Sequence, residues 1–203
     1  GVNSRQKGEF GKKRFPARRK MCYNIGRAAR GVCMDFELLQ WEPSLAPSLA
    51  ESANDAKIDW WLGEEFPSPY TEEDAKKYID STFVMNRLEG NNFCAIVADG
   101  RAIGSISLMA RGLGVRKFCA ELGYWLNPAY WGKGIMTEAV RRICGKAFEE
   151  TDVRRIQAEV FAPNAASCRV LEKCGFALEG TLRKSTYKRG EFFDSHIYAL
   201  LKE

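Results

Sequence analysis

A glycine-rich turn between a strand pattern and a helix pattern constrains this chain more than any other segment. The turn is Trp131-Gly132-Lys133-Gly134; the alternating stretch Phe118 to Asn127 precedes it, and helically spaced apolar residues follow from Ile135 to Glu149. Glycine accepts the positive φ angles that such a turn requires, and it lets backbone N–H groups converge at the positive end of the helix dipole. The segment is typical of a cradle for a diphosphate. A tight turn that needs glycine only for steric reasons is the alternative interpretation.

The flanking stretches predict the sheet that carries this turn. Val153 to Phe161 is again a strand pattern, and a strand, helix, strand crossover makes its two strands parallel. Upstream, Asp99-Gly100 is a two-residue hairpin signal, because both residues accept positive φ. The other predicted elements are a strand over Asp35 to Trp41, helices over Pro43 to Ala53, Thr71 to Met85 and Ala165 to Cys174, strands over Phe93 to Ala98 and Ile103 to Ala110, and a closing hairpin of Phe176 to Tyr187 with Phe192 to Leu201. The predicted fold class is mixed α+β, with a mostly antiparallel sheet, one parallel strand pair and flanking helices.

Size and charge divide the chain into a basic leader and one domain. A length of 203 residues with 45% hydrophobic content allows one buried core and leaves too little for a second full domain. Ten Lys or Arg residues and one acid fall within residues 1–34, so the rest of the chain has a net charge near −4. We therefore predict a basic, flexible leader over 1–33 and one domain over 34–203. A solvated arm, an organelle transit peptide and a ribosome- or nucleic-acid-binding tail are three interpretations of the leader.

Apolar runs and cysteines indicate the compartment. No apolar run approaches the ~18 residues of a membrane span, and the first residues lack the apolar stretch of a secretory signal. Seven cysteines without any C-x-x-C pair indicate free thiols. With His196 as the one histidine of the sequence, no metal site is predicted. We expect a soluble, cytoplasmic protein without membrane contact.

Two other phosphate-binding motifs also place glycines between a strand and a helix. A P-loop needs Ser or Thr directly after Gly-Lys to hold magnesium, and Gly134 stands there instead. A dinucleotide fingerprint needs a third glycine where Thr137 stands, although Glu159 lies roughly where its ribose-binding acid would be. The fingerprint also belongs to a doubly wound sheet, whereas an antiparallel meander is predicted here. The P-loop is excluded, and the fingerprint is the weaker alternative.

A second segment, Asn164 to Phe176, separates these alternatives. It begins a predicted helix with Asn164-x-x-Ser167 after the second parallel strand. The ordered set of strand, glycine loop, helix, strand and Asn-x-x-Ser helix resembles the GNAT superfamily of N-acetyltransferases over about Met34 to Glu203, and its RimJ/RimL-like branch most closely. The motifs that carry the closer resemblance are Phe66-Pro-x-Pro-Tyr70, Ala120 to Leu126, Thr137-Glu-Ala139, Leu171-Glu-Lys-x-Gly-Phe176 and Leu178-Glu-Gly180.

The resemblance implies acetyl-CoA as co-substrate and no metal. In relatives, amides of the glycine loop bind the CoA pyrophosphate, and backbone groups of the splayed strand pair with the pantetheine arm. The implied CoA-binding set is Trp125, Leu126, Asn127, Trp131, Gly132, Lys133, Gly134, Ile135, Met136, Thr137, Asn164, Ser167 and Arg169. Trp131 and Met136 depart from the common superfamily pattern, but backbone binding tolerates both. A plain helix cap at Asn164 and a solvated position for Arg169 remain alternatives.

The resemblance also implies candidates for catalysis. Direct attack on a thioester requires a neutral amine, a donor for the oxyanion and a proton for the departing thiolate. Glu121 is the first candidate base, with a purely structural carboxylate as its alternative role, and Glu159 is the second. Leu171 occupies the place of the tyrosine that protonates the thiolate in many relatives, so Ser167 or a water would serve.

The acceptor implied by the resemblance is a primary amine, and a protein N-terminal α-amine ranks first. Neutralising an α-amine of pKa ~7.7–8.0 near pH 7 costs ~1.4 kcal/mol or less, against roughly 4.6 kcal/mol for a lysine amine. Alternative acceptors are a polyamine, a metabolite or an antibiotic amine. Alternative classes are an acyl-CoA-binding protein with weak catalysis and a ribosome- or nucleic-acid-associated adaptor. Four aromatic residues either form a wall of the acceptor site or simply pack in the core: Trp60, Trp61, Phe66 and Tyr70. Both a monomer and a dimer are compatible with the sequence.

Overall fold

The computed structural model describes residues 34–88, 90–111 and 114–203. Within these ranges, seven strands form one sheet in the order β1-β2-β3-β4-β5-β7-β6. The strands are β1 (Glu37–Gln40), β2 (Asn92–Ala98), β3 (Arg101–Ala110), β4 (Cys119–Leu126), β5 (Arg155–Phe161), β6 (Ala177–Lys188) and β7 (Glu191–Leu201). The helices are α1 (Ala46–Ala53), α2 (Ala56–Trp61), α3 (Glu72–Met85), α4 (Ile135–Glu150) and α5 (Ala165–Lys173), with 3-10 turns at Pro43–Leu45, Gly114–Arg116 and Pro128–Tyr130. The predicted leader over 1–33 lies outside the described residues.

One parallel strand pair interrupts an otherwise antiparallel sheet. Strands β4 and β5 run parallel, and the other neighbouring pairs of described strands are antiparallel. Helix α4 makes the crossover between them, so the predicted mixed α+β fold is confirmed. The parallel ladder is short and ends where Glu121 lies opposite Gln157. Beyond that pair the two strands diverge and leave a gap.

The two predicted hairpins turn through residues with positive φ. Asp99 and Gly100 have φ of 49° and 72°, and Arg189 and Gly190 have φ of 50° and 85°. Two consecutive positive φ angles give a turn whose twist matches that of the flanking strands. The second hairpin, β6 with β7, brings its tip to the side of helix α2, where Lys188 and Arg189 contact Asp59.

Each face of the sheet has its own hydrophobic core. Helices α4 and α5 cover one face, and the buried residues of α4 recur at helical spacing: Ile135, Ala139, Ile143 and Ala147. Helices α1 and α3 cover β2 and β3 on the other face, around Trp41, Leu49 and Ile79. Burying one such side chain fully contributes ~1.5–3 kcal/mol. The sheet is therefore fixed on both faces, and the diverging ends of β4 and β5 lie between rigid elements.

The structure differs from the sequence prediction mainly before α3. Helix α2 lies between the predicted helices Pro43 to Ala53 and Thr71 to Met85, in a segment for which the sequence pattern predicts no helix or strand. The Asp55 side chain caps this helix by accepting from the Lys57 N–H at 2.8 Å. With six residues the helix is too short to show an apolar period, which is why the pattern missed it. Strand β1 is also shorter than predicted.

The cysteines and the helices of the described part of the chain can be compared with the sequence predictions. The five cysteines found there are free thiols, as predicted: Cys94, Cys119, Cys144, Cys168 and Cys174. In the same ranges, none of the helices combines the length and the apolar character required to cross a bilayer.

Candidate active site

The gap between β4 and β5 exposes backbone groups of β4. The Asn127 N–H donates to Ile103 of β3 at 2.8 Å, and Trp125 lies opposite Ser105 on the same strand. Since hydrogen bonding alternates along an antiparallel strand, Trp125 and Asn127 turn their backbone groups toward β3. The backbone groups of Tyr124 and Leu126 therefore face the gap. Of the three backbone partners predicted for pantetheine, Leu126 has this orientation.

The glycine loop leaves a run of backbone donors without protein partners. Gly132 and Gly134 have φ of 75° and 78°, and Gly134 is the N-cap of α4 without any side-chain cap. Hydrogen bonding stops at the Trp131 N–H, which donates to Pro128, and resumes at the Glu138 N–H, which donates to Gly134. Between them, the six N–H groups of residues 132–137 have no acceptor in the described part of the chain. An anion placed there would also meet the positive end of a 16-residue helix.

A cleft of about 710 Å³ joins this loop to the gap between the strands. Its lining includes most of the predicted CoA-binding residues: Trp125, Leu126, Trp131, Gly132, Gly134, Ile135, Met136, Thr137, Asn164, Ser167 and Arg169. Asn127 and Lys133 are not part of the lining. The Lys133 ammonium lies 5.0 Å from the centre of the Tyr130 ring instead. The free donors, the gap and the connecting cleft fit a diphosphate followed by an extended arm with amide groups.

Helix α5 starts at the edge of this cleft. The Asn164 side chain caps it by accepting from the Ser167 N–H at 3.2 Å. The Tyr124 hydroxyl donates to the Ser167 carbonyl oxygen at 3.3 Å, and burial raises the pKa of Tyr124 well above its usual range. Ser167 itself lines the cleft, and a hydrogen bond between its side chain and Tyr124 opposes part of that rise. Two hydroxyl groups thus lie near the point where β4 and α5 approach each other.

The two candidate carboxylates have different surroundings. Glu121 accepts from the Arg111 guanidinium at 2.7 Å and is not part of the cleft lining. Glu159, on the same face of the neighbouring strand, is exposed and lines the cleft. Among the described residues of the lining it is the one acid, against three cations, Lys57, Arg169 and Lys173. Of the two predicted candidates, Glu159 therefore lies at the cleft, and Glu121 lies outside its lining.

The aromatic residues of the α2 region divide between core and cleft. Phe66 and Tyr70 stack with ring centres 4.8 Å apart and pack with the α1/α3 core. Trp61 lines the cleft together with Ile58 and Leu62, and Trp60 lies against Phe193 of β7. The interpretation as simple core packing therefore holds for Phe66 and Tyr70. His196 lies outside the lining and shares a hydrogen bond of 3.0 Å with Thr181.

Comparison with known families decides what this arrangement is. A family model described as an acetyltransferase (GNAT) domain matches residues 35–177. The chain belongs to the GNAT acetyltransferase family. The predicted assignment as an N-acetyltransferase, an enzyme, is thereby confirmed.

Individual GNAT relatives span most of the domain. The probable N-acetyltransferase YjcK of Bacillus subtilis is 42% identical over 136 residues, which are 65% of this chain and 74% of that protein. The ribosomal-protein-serine acetyltransferase of Escherichia coli is 25% identical over 142 residues, or 68% of this chain and 78% of that protein. A solved structure of RimL, a ribosomal L7/L12 alpha-N-protein acetyltransferase in complex with coenzyme A, has a TM-score of 0.74 at 24% identity and covers 84% of this chain and 96% of that one.

Some lining residues of this GNAT cleft were not among the sequence predictions. They include Lys57, Tyr124 and Lys173. Tyr124 stands beside two predicted residues on β4, and strand alternation alone could have shown that its backbone faces β5. Lys57 belongs to the helix that the pattern missed. Lys173 lies one helical turn beyond Arg169, so the helical period of α5 could have indicated it.

Proposed function

We propose that this enzyme transfers the acetyl group of acetyl-CoA by direct attack to a primary amine, with a protein N-terminal α-amine as the acceptor. One observation carries the proposal. Five of the six residues with unpaired N–H groups, 132 and 134–137, line a cleft whose described lining contains a single carboxylate, Glu159. A site of this kind can bind an anion at one end and accept a proton near the other end.

The donor side of the cleft holds acetyl-CoA, which supplies a thioester carbonyl for the amine to attack. The amides of residues 132–137 hold its diphosphate, and Arg169 and Lys173 add positive charge at the edge of the cleft. The backbone of Tyr124 and Leu126 pairs with the amide groups of the arm, which need partners once water is displaced. The Asn164 amide nitrogen offers a further donor, because its oxygen is already bound to the Ser167 N–H.

The acceptor side provides a base and a proton donor. Glu159 takes a proton from the incoming amine, directly or through one water, as general base. Glu121 lies on the same face and is held by Arg111, so its role is to support the site at the end of the parallel ladder. The Ser167 hydroxyl passes a proton to the departing thiolate as the C–S bond breaks and regains a proton from solvent. Tyr124 holds the Ser167 carbonyl and so fixes the start of α5.

Two considerations favour an α-amine as the acceptor. A single exposed carboxylate can remove a proton from an α-amine of pKa ~7.7–8.0 with little cost near pH 7, whereas a lysine amine costs roughly 4.6 kcal/mol to neutralise. Two of the relatives are named for acetylation of ribosomal proteins, one of them at an α-amine. Both considerations support a protein N-terminus ahead of a lysine side chain.

A matched acceptor panel tests the proposal. Peptides with a free N-terminal Ser and no Lys are compared with the same sequences carrying a blocked N-terminus and one internal Lys. Spermidine and free L-serine represent the small-amine alternatives, and thiol release is measured with and without acceptor. We expect turnover with the free α-amine peptides above that with every other compound. Higher turnover with spermidine or free serine would assign the enzyme to small amines, and acetyl-CoA binding without turnover would favour a binding protein.

A further inference from the structure

The tip of the β6/β7 hairpin buries a lysine that the proposed chemistry does not use. Lys188 is 4% exposed, whereas its neighbours in the strand are mostly exposed. Lysine is almost never buried to this degree unless its ammonium has partners. Its position is therefore set by specific contacts.

Those contacts all lie on helix α2 and the residue after it. The Lys188 ammonium donates to the backbone carbonyls of Asp59 and Leu62 and lies 3.8 Å from the Asp59 carboxylate. Arg189 binds the same carboxylate, and its guanidinium lies 5.1 Å from the centre of the Trp60 ring. The Arg189 N–H also donates to Glu64 at 3.2 Å. The hairpin tip thus binds a helix that lies about 130 residues earlier in the sequence.

Helix α2 needs such support. It has six residues, too few to be stable by its own hydrogen bonds, and at its end the Asp59 carbonyl receives only a long bond of 3.4 Å from the Leu62 N–H. Lys188 supplies donors to two carbonyls of that segment. At the same time, Ile58, Trp61 and Leu62 line the cleft. The position of this wall therefore depends on the hairpin tip.

We propose that Lys188 is a positioning residue that sets acceptor specificity: its buried ammonium fixes the end of α2 and, through it, the cleft wall formed by Ile58, Trp61 and Leu62. This inference rests on the proposed function, because we assign this wall, which includes the aromatic residue Trp61, to the acceptor side of the cleft. It places the acceptor-selecting surface on two segments, α2 and the β6/β7 tip, that act as one unit. The acetyl-CoA side of the cleft is not part of that unit.

Hydrogen–deuterium exchange tests the structural half of the proposal without any acceptor. Lys188→Met keeps the aliphatic stem and removes the ammonium, and Arg183→Met removes an exposed cation from the same strand as a matched control. We expect faster exchange over residues 56–65 in Lys188→Met, unchanged exchange over α4, and no change in the control. Equal exchange over 56–65 in all three proteins would overturn the proposal. Asp59→Asn keeps both backbone carbonyl acceptors and should also speed exchange over residues 56–65, but by less. This second variant keeps the test valid if Lys188→Met folds poorly.

Kinetics test the functional half with the serine-initiated peptide of the panel. We expect Lys188→Met to raise the acceptor KM about tenfold with kcat changed less, since misplaced positioning groups weaken productive binding. The Kd of acetyl-CoA, measured by calorimetry, should stay at the wild-type value. An unchanged acceptor KM despite faster exchange over 56–65 would leave Lys188 a purely structural role and refute the inference. Absence of peptide turnover in the wild type would instead refute the proposed acceptor, so the two failures are distinguishable.

Discussion

The indole N–H of Trp131 donates to the backbone carbonyl oxygen of Leu126 across 2.6 Å. This bond joins the start of the glycine loop to the last residue of β4, so the diphosphate-binding and arm-binding parts of the cleft are held in register. It also occupies the Leu126 carbonyl, which leaves the Leu126 N–H as the group offered to the arm. A side chain that is 43% exposed thus has a specific partner.

Trp131→Phe should weaken acetyl-CoA binding about fivefold, because a hydrogen bond of this kind contributes about 1 kcal/mol net. Calorimetry with acetyl-CoA measures the effect. Trp60→Phe is the control, since Trp60 packs against Phe193 of β7 and is not part of the cleft lining. Equal affinities for the two variants would show that the indole bond has no part in donor binding.

Gly132→Ala and Gly145→Ala make the same chemical change, but we expect the first to weaken acetyl-CoA binding and the second to stabilise the fold. An added Cβ meets no atom within 4 Å at either position, but Gly132 has φ of 75° and Gly145 lies inside α4. A left-handed backbone costs an L-residue ~1–2 kcal/mol. Since the loop is exposed and can relax without ligand, Gly132→Ala should weaken acetyl-CoA binding about tenfold.

For Gly145→Ala, alanine favours a helix by ~0.8–1 kcal/mol over glycine, so this variant should melt at a higher temperature and bind acetyl-CoA normally. Calorimetry and thermal unfolding measure the pair. Wild-type affinity in Gly132→Ala would mean that the positive φ is not required for binding.

The order of the elements and the glycine loop could be predicted because each has a local cause. Asp99-Gly100 and the loop glycines need positive φ, and the period of α4 is visible in its apolar residues. These causes act within a few residues of one another, so a sequence window contains them.

The contacts that shape the acceptor side could not be predicted in the same way. Lys188 meets Asp59 across about 130 residues, and nothing near either residue in sequence indicates the pair. The different surroundings of Glu121 and Glu159 likewise depend on Arg111, which binds the carboxylate of Glu121. Long-range pairing of polar groups is set by the fold and has no periodic signature.

Two thiols, Cys94 in the core and the partly buried Cys174, provide a pH-dependent test of the packing. Burial raises the pKa of Cys174 to about 11, with Arg141 opposing the shift, and burial raises the pKa of Cys94 to about 12. At pH 8 a thiol of pKa ~11 is about one part in a thousand thiolate, against roughly a quarter for the usual ~8.5. Iodoacetamide should therefore modify Cys174 at least about a hundredfold more slowly in the folded protein than in urea, as measured by peptide mass spectrometry.

The raised pKa values of these thiols also predict how the stability of the fold changes with pH. The folded state keeps these protons to a higher pH than the unfolded state, so the contribution is complete below pH ~9 and is lost as pH rises toward 11 to 12. The denaturant midpoint should fall over that window. Rapid modification of folded Cys174 at pH 8 would contradict its burial.

Glu159→Gln should lower kcat/KM for the serine-initiated peptide about a hundredfold at pH 7, because the variant lacks the general base of the cleft. Acetyl-CoA affinity should not change, since Glu159 faces the cleft from β5 and not from the glycine loop. The deficit should shrink above pH ~8.5, where an α-amine of pKa ~7.7–8.0 arrives already neutral. Glu121→Gln is the matched control: it removes the same charge one strand away, where Arg111 holds it outside the cleft lining, and should reduce kcat/KM less. A larger loss in Glu121→Gln that also disappears at high pH would identify Glu121 as the base. A deficit in Glu159→Gln that stays constant with pH would mean that Glu159 orients the amine without accepting its proton.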